Sequence, residues 1–224
     1  MTHLSTSLAS KSQKFILPLL LLILASCSED SEEYDPYHDW YSRNTEWYAN
    51  VADSARTAIS EAKAGYGDSW EQHCEWRMIK SVYQSPTYQR GVLGDTVCIR
   101  ILHSGEGTVS PAQNDTVRIN FRGWLMPTTK ADGTVEELIF AQTYYGDYSL
   151  QTAYPQKAAV SAFAKGFSTA LQYMVEGDDW MVYVPQELFY GSSKTGTIPA
   201  YSSARFRIQM VGVYPVGNVV PDWQ

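Results

Sequence analysis

Apolar and polar positions along this chain change their period more than once. From Trp40 to about Ala64 the period is helical: Trp47, Val51, Ala55, Ala58 and Ala62 fall on one face, Asn44 stands where a cap belongs with Glu46 close by, and Gly65 and Gly67 stop the run. Such a stripe is expected to pack on the rest of its domain, because left bare it would be a liability. After "GYGDS" the period falls to two. "EWRMIKSVY" and "DTVCIRILHSG" predict strands separated by the loop "QSPTYQRGVLG", and "GEGTVSPAQN" predicts a turn. "DTVRINFRGWL" follows as a strand with Val117, Ile119 and Phe121 on one face, then "MPTTKADGTVEE" as a hairpin turning at Asp132-Gly133, then the strand "LIFAQTY". "QKAAVSAFAKGFSTALQYMVEGDDW" interrupts the strands with a short helix from Ser161 or Lys165 to about Val175, burying Phe167, Leu171 and Met174 and ending before Gly177. "WMVYVP" and "ARFRIQMVGVYP" complete the strands, the latter with Phe206, Ile208 and Met210 inward. The predicted class is α+β: a curved antiparallel β-sheet wrapped on a short α-helix, with an N-terminal helical extension.

Charge narrows the function. The chain has 224 residues, with 17 Lys and Arg against 24 Asp and Glu, a net charge of -7. Nucleic acid is therefore excluded as a partner, since phosphate binding needs clustered cations. Tyrosine is abundant at 16 residues, beside 7 Trp and 7 Phe, which suits aromatic cross-strand pairs or a binding surface. "WEQHCEW" has no second ligand pair at zinc spacing, so no metal and no cofactor are expected. Whether Cys74 and Cys98 pair stays open at this level.

The start of the chain is a separate matter. Lys11 and Lys14 precede "FILPLLLLILASC", an apolar run of signal-peptide length that is short for a membrane span. "LASC" resembles the lipobox of bacterial lipoproteins, which implies removal of residues 1–26 and acylation of Cys27. The acidic "SEDSEEYD" makes residues 27–39 a solvated tether, and it resembles the surface-export signal of lipoproteins of the Bacteroidetes. The resemblance implies a cell-envelope protein, lipid-anchored to the outer membrane on its periplasmic face or at the cell surface.

Four segments in a fixed order resemble the FKBP-type peptidyl-prolyl cis-trans isomerases, over roughly Ile101 to Tyr214. They are "GEGTVSPAQNDTVRINFRGWL", "FAKGFSTALQYMVEG", "VPQELFYG" with its Pro-x-x-Leu-x-Tyr-Gly pattern, and "GTIPAYSSARFRIQMVGV". The implied organisation is a helix and strand extension over 40–100, an FKBP-like domain over 101–216 and a tail over 217–224. The implied activity is rotation of X-Pro bonds in an aromatic pocket without covalent catalysis, assisting the folding of exported proteins. An FKBP-like module that holds proline-containing or apolar segments with little turnover is the alternative. Carried over by position, the catalytic residues are Tyr190, Phe140 and Phe167, and Phe121, Phe163, Ala164, Ile198 and Phe206 bind substrate, Ala164 through its backbone N–H. Phe167 stands where many members have tryptophan, and Phe121 where tyrosine is common. Ala141 replaces an aspartate that the family places after Phe140; Gln142 or Asp147 could take its part, whereas Tyr144 or Tyr145 could fill the pocket instead. The implied partners are proline-containing peptide or protein segments.

Other polar groups have plainer explanations. Asp178-Asp179, beside Gly177, are expected to be solvated turn acids rather than a general acid and base. His38, His73 and His103 lie on polar or strand-edge stretches and are expected to be structural.

Overall fold

The computed structural model describes residues 35–83, 93–130 and 132–223. The proposed signal peptide, Cys27, most of the acidic tether and the 84–92 loop lie outside the described residues. Among the described residues no helix is long and apolar enough to cross a membrane.

Among the described residues two α-helices and nine strands follow in order: α1 Trp40–Tyr66, β1 Trp76–Lys80, β2 Thr96–His103, β3 Thr116–Leu125, β4 Thr128–Thr129, β5 Val135–Glu136, β6 Ile139–Gln142, β7 Gln156–Ala159, α2 Lys165–Leu171, β8 Asp179–Val184 and β9 Ala204–Tyr214. The fold is α+β and FKBP-like, an antiparallel sheet with a short helix and a long N-terminal helix. Its strand order is β1-β2-β8-β9-β3-β6, with β7 also on β3. β9 runs along one whole side of β3, from Thr116↔Tyr214 to Leu125↔Ala204. The other side is shared: β7 covers Thr116 to Ile119 and β6 covers Arg122 to Trp124. Thr143 fills the gap between them, its N–H donating to the Phe121 carbonyl and its hydroxyl accepting from the Phe121 N–H, both at 2.9 Å.

Alternation along β2, β3, β8 and β9 puts Val97, Ile99, Val117, Ile119, Val182 and Ile208 on one face, fully buried. α2 packs on that face through Phe167, Leu171 and Ala170. The approach is close: a Cβ on Gly166 would stand 2.3 Å from Val184 Cγ1. α2 ends at Leu171, earlier than its apolar spacing suggests, and Met174 is buried beyond it in the turn that leads to Gly177 at φ 94°.

The buried face of α1 overlaps the expected one only in part: Ala55 and Ala62 are shared, and Trp47 and Val51 pack at its margin. Trp40, Asn44, Tyr48, Ala52, Ala55 and Ala62 turn inward, while Trp47, Val51 and Ala58 are half-buried. Asn44 is not a cap. It lies in the second turn, fully buried, with Nδ2 donating to the Trp40 carbonyl at 2.8 Å and Oδ1 accepting from the Ser203 N–H at 2.7 Å. Trp40 Nε1 donates to Ser202 Oγ at 2.9 Å, and the Tyr41 ring meets Tyr201 edge-on. Tyr201 sits at φ 60°, a left-handed conformation that costs a side-chain-bearing residue about 1–2 kcal/mol. The first turns of α1 thus clamp the segment 199–203 in a conformation it would not hold alone.

Among the described residues Cys74 and Cys98 are free. Cys98 pairs with Met78 in the β1–β2 register, four residues along from Cys74, which is roughly 13 Å at strand spacing and beyond disulfide reach. Burial pushes the Cys98 thiol up, so it stays protonated and is no nucleophile.

The Asn44 contacts give the first prediction. Asn44→Ala leaves the Ser203 N–H buried without an acceptor and is expected to lower stability by about 1–3 kcal/mol in urea unfolding. A loss below about 0.5 kcal/mol, the level of an indifferent surface change, would show that α1 does not clamp this segment.

Candidate functional site

A cavity of about 230 Å³ opens between β3, β6, the start of α2 and the turn after β8. That volume falls below the range of about 300–1,000 Å³ typical for drug-sized ligands, so it suits one ring and its flanking backbone. Of the residues singled out above, Phe121, Phe140, Phe163, Ala164, Phe167, Tyr190 and Phe206 line it, together with Ala141. Ile198 does not: it is buried in the neighbouring core and bridges to Thr195.

The wall is a continuous set of aromatic contacts. Phe167 meets Phe206 edge-on with centroids 4.8 Å apart and Phe121 edge-on at 5.5 Å, while Phe163 stacks on it at 4.7 Å. Phe140 meets Phe206 edge-on at 5.5 Å. Phe189 lines the cavity too, in contact with Phe140, Phe206 and Tyr190. Sequence reasoning missed it because it occupies an unspecified position of the Pro-x-x-Leu-x-Tyr-Gly pattern. The signal available was an aromatic adjacent to Tyr190.

Gly123 makes this closure possible. It pairs with Phe206 on β9 and Ala141 on β6, and a Cβ there would lie 2.8 Å from both Phe140 Cζ and Phe206 Cε1. The rings therefore fold over bare backbone.

Polar groups at the cavity are few. Tyr190 is 40% exposed, and among the described residues its hydroxyl has no hydrogen-bond partner. Gly191 follows at φ 56°, its N–H donating to the Gln186 carbonyl at 2.9 Å and its carbonyl accepting from Tyr201 N–H at 2.6 Å, which turns the chain away from the tyrosine. Ala164 precedes α2 in extended conformation (ψ 150°); its carbonyl accepts from Ser168, and its N–H has no acceptor among the described residues. Among the described residues no carboxylate lines the cavity. Ala141 occupies the wall, and neither Gln142 nor Asp147 reaches it. Gln156 at the start of β7 is the polar side chain that does. Tyr144 and Tyr145 stay out as well: Tyr144 is buried against Tyr148 and Arg122, and Tyr145 is 85% exposed.

The other polar candidates are structural, though not all as expected. Asp178 is buried rather than solvated, accepting from Gly105 N–H at 2.8 Å and Val175 N–H at 2.7 Å to close the turn before β8. Asp179 takes the Arg207 guanidinium at 2.7 Å, a partner that keeps Arg207 charged. His73 stacks on Tyr66, and His38 pairs with Asp39. Among the described residues no cluster could hold a metal ion.

Residues 107–211 match the family model described as FKBP-type peptidyl-prolyl cis-trans isomerase. The chain is similar to the FKBP-type 22 kDa peptidyl-prolyl cis-trans isomerase of Escherichia coli strain K12, 31% identical over 115 residues, 51% of this chain and 48% of that one. It is similar to the outer membrane protein MIP of Legionella longbeachae, 31% identical over 123 residues, 54% of this chain and 46% of that one. Among solved structures it overlaps FkpA from Escherichia coli with a TM-score of 0.44 and 20% identity, over 80% of this chain and 70% of that one. The chain spans about half the length of the curated relatives it matches.

Gly123→Ala tests the aromatic closure. The added methyl forces Phe140 and Phe206 apart, with an expected loss of about 1–3 kcal/mol and a changed near-ultraviolet circular dichroism spectrum. Unchanged stability and spectrum would mean that the rings do not rely on the missing Cβ.

Proposed function

We propose that this chain, which carries an FKBP-type peptidyl-prolyl cis-trans isomerase domain over residues 107–211, rotates X-Pro bonds of peptide segments held in the aromatic cavity. The barrier to this rotation is about 18–20 kcal/mol, it comes from amide resonance, and no covalent bond has to break. Neither nucleophile nor proton relay is required. What lowers the barrier is a site that accepts the prolyl ring, removes the water that favours the planar polar amide, and prefers the twisted amide over the flat one.

In this reading Phe167 is the floor under the prolyl ring, with Phe121, Phe140, Phe163 and Phe206 as walls and Ile198 supporting from behind. Phe189 adds to the wall beside Tyr190. The Tyr190 hydroxyl and the Ala164 N–H donate to substrate carbonyls on either side of the rotating bond. The observation that carries the proposal is the pairing of these two donors, which have no protein acceptor among the described residues, with a cavity whose other lining is apolar save for Gln156. The half-buried Ala164 N–H suits a ligand that brings an acceptor, and the Tyr190 hydroxyl, exposed at the cavity, is open to the same ligand.

The wider setting is part of the proposal. Residues 1–26 are a lipoprotein signal peptide, Cys27 carries the lipid, and residues 27–39 hold the domain away from an outer membrane. Residues 40–100 brace the domain. The chain then serves folding of exported proteins, whose X-Pro bonds equilibrate over tens of seconds unaided. A relative bearing the name outer membrane protein MIP is consistent with that location.

One observation favours a second reading. With Ala141 in the wall and no carboxylate in the lining, the cavity has less polar support for a twisted amide, as in a module that holds proline segments without turning them over.

A protease-free prolyl isomerisation assay separates the two readings. The unaltered chain is expected to accelerate isomerisation, and Tyr190→Phe to lower kcat/KM about tenfold, the effect of about 1.4 kcal/mol from one hydrogen bond. Phe167→Ala is expected to abolish the acceleration. If the unaltered chain is inert and Ala141→Asp makes it active, the binding module is correct. If Tyr190→Phe has no effect on an active chain, the hydroxyl has no part in the reaction.

A further inference from the structure

A larger cavity, about 780 Å³, lies at the β1 end of the sheet and shares no residue with the aromatic one. β1 is an end strand, paired with β2 on one side. The Ile101 N–H donates to the Glu75 carbonyl, and the Ser81 N–H to the Asp95 carbonyl. With Arg77 opposite Ile99 and Ile79 opposite Val97, the odd-numbered residues turn their backbone groups toward β2. Trp76 and Met78 therefore point theirs outward. The Trp76 carbonyl is taken by Arg77 Nη1 at 2.8 Å, but the N–H and C=O of Met78 have no partner among the described residues. A half-buried edge with an open donor and an open acceptor calls for a strand.

The groove beside this edge has an apolar lining on both sides. Met78 joins Ile59 of α1 on one wall, and Ile79, facing the opposite way, joins Ile101 and Trp180 on the other. Its rim is basic. Lys63 Nζ and the Arg77 guanidinium lie 4.8 Å and 4.9 Å from the Trp70 ring, Arg77 also donating to the Cys74, Trp76 and Glu71 carbonyls; Arg56, ion-paired with Asp53, stands nearby, and Glu71 is the one acid in the lining. This concentration of cations occurs in a chain of net charge -7.

We propose that this groove is a second peptide-binding site, which takes an extended segment of alternating apolar and acidic residues as an added strand on β1 at Met78. An added strand satisfies the Met78 N–H and C=O together, and its own alternation turns the apolar side chains to the wall of Ile79, Ile101 and Trp180 and the carboxylates to the opposite face, where Lys63 and Arg56 of α1 stand. A fatty acid cannot do this, because its single head group leaves the backbone donor and acceptor unmatched. A second copy of the chain, related by a two-fold axis, would bring the same cations face to face. Proline is disfavoured in such a strand because it has no N–H to pair, so the segment differs in kind from the ligand proposed for the aromatic cavity.

Fluorescence anisotropy with a labelled, proline-free peptide of alternating valine and glutamate tests this. Saturable binding is expected. Methylating every second backbone nitrogen of the peptide is expected to weaken it more than about tenfold, a probe of strand pairing that leaves the protein untouched. Lys63→Glu is expected to weaken binding about fivefold and to leave prolyl isomerisation unchanged. Phe140→Ala, which alters the aromatic cavity, is expected to leave peptide binding unchanged, so the two sites stand or fall separately. The proposal is overturned if the methylated peptide binds as well as its parent, if no binding occurs, or if Phe140→Ala abolishes it. It is equally overturned if sedimentation finds a dimer that Lys63→Glu dissociates, which would assign the groove to a second copy.

Discussion

At Gly123 the β3 backbone is so close to Phe140 and Phe206 that one methyl group would stand 2.8 Å from each ring. This contact governs the rest of the candidate site. Phe206 can cross over β3 only because its direct partner there has no side chain, and Phe140 closes from the opposite side because β6 pairs with the same stretch. Phe167 then meets Phe206 and Phe121 from below, so the helix that carries it must lie close to the sheet, as the bare Gly166 permits. An aromatic cavity on an α+β scaffold follows from two residues whose contribution is the absence of a Cβ. A closely packed, largely aromatic cavity is what the proposed amide rotation requires, since such catalysis rests on shape and desolvation rather than on a reacting group.

A second constraint comes from outside the matched segment. α1 reaches across to the loop before β9, where Trp40, Tyr41 and Asn44 contact Ser202, Tyr201 and Ser203. The same loop donates a hydrogen bond next to Tyr190: the Tyr201 N–H gives to the Gly191 carbonyl. The long helix is thus two contacts away from the hydroxyl at the cavity mouth. Positioning by a packed helix holds a polar group more closely than a free loop would. The other end of α1 forms a wall of the β1 groove, so one helix supports both sites.

Much of this was legible in the chain, for identifiable reasons. β2, β3, β8 and β9 bury one face each, and burial of one face writes a period of two. Phe121, Phe167 and Phe206 were legible as inward positions for the same reason, and Tyr190-Gly191 because a turn residue after a strand leaves few choices. The face of α1 was read only in part, Ala55 and Ala62 correctly, because it also buries an asparagine and a tyrosine; a polar residue satisfied by partners far along the chain carries no local mark. β7 was hidden because "QKAA" lacks β-branched and aromatic residues, and its pairing with β3 comes from β3's open flank. The cavity's polar member was sought at Gln142, next to Ala141, but alternation turns successive side chains to opposite faces, and Gln156 enters from β7 instead.

What the aromatic cavity holds decides the account as a whole. The most direct measurement is an amide-resolved nuclear magnetic resonance titration of the chain with a short proline-containing peptide, with exchange between the peptide's cis and trans forms followed in the same samples. The account predicts that the amide resonances of Ala164 and Tyr190 move with saturation while those of Trp76 and Met78 stay in place, and that cis–trans exchange of the peptide quickens. Stationary Ala164 and Tyr190 resonances, with shifts confined to other parts of the chain, would contradict it.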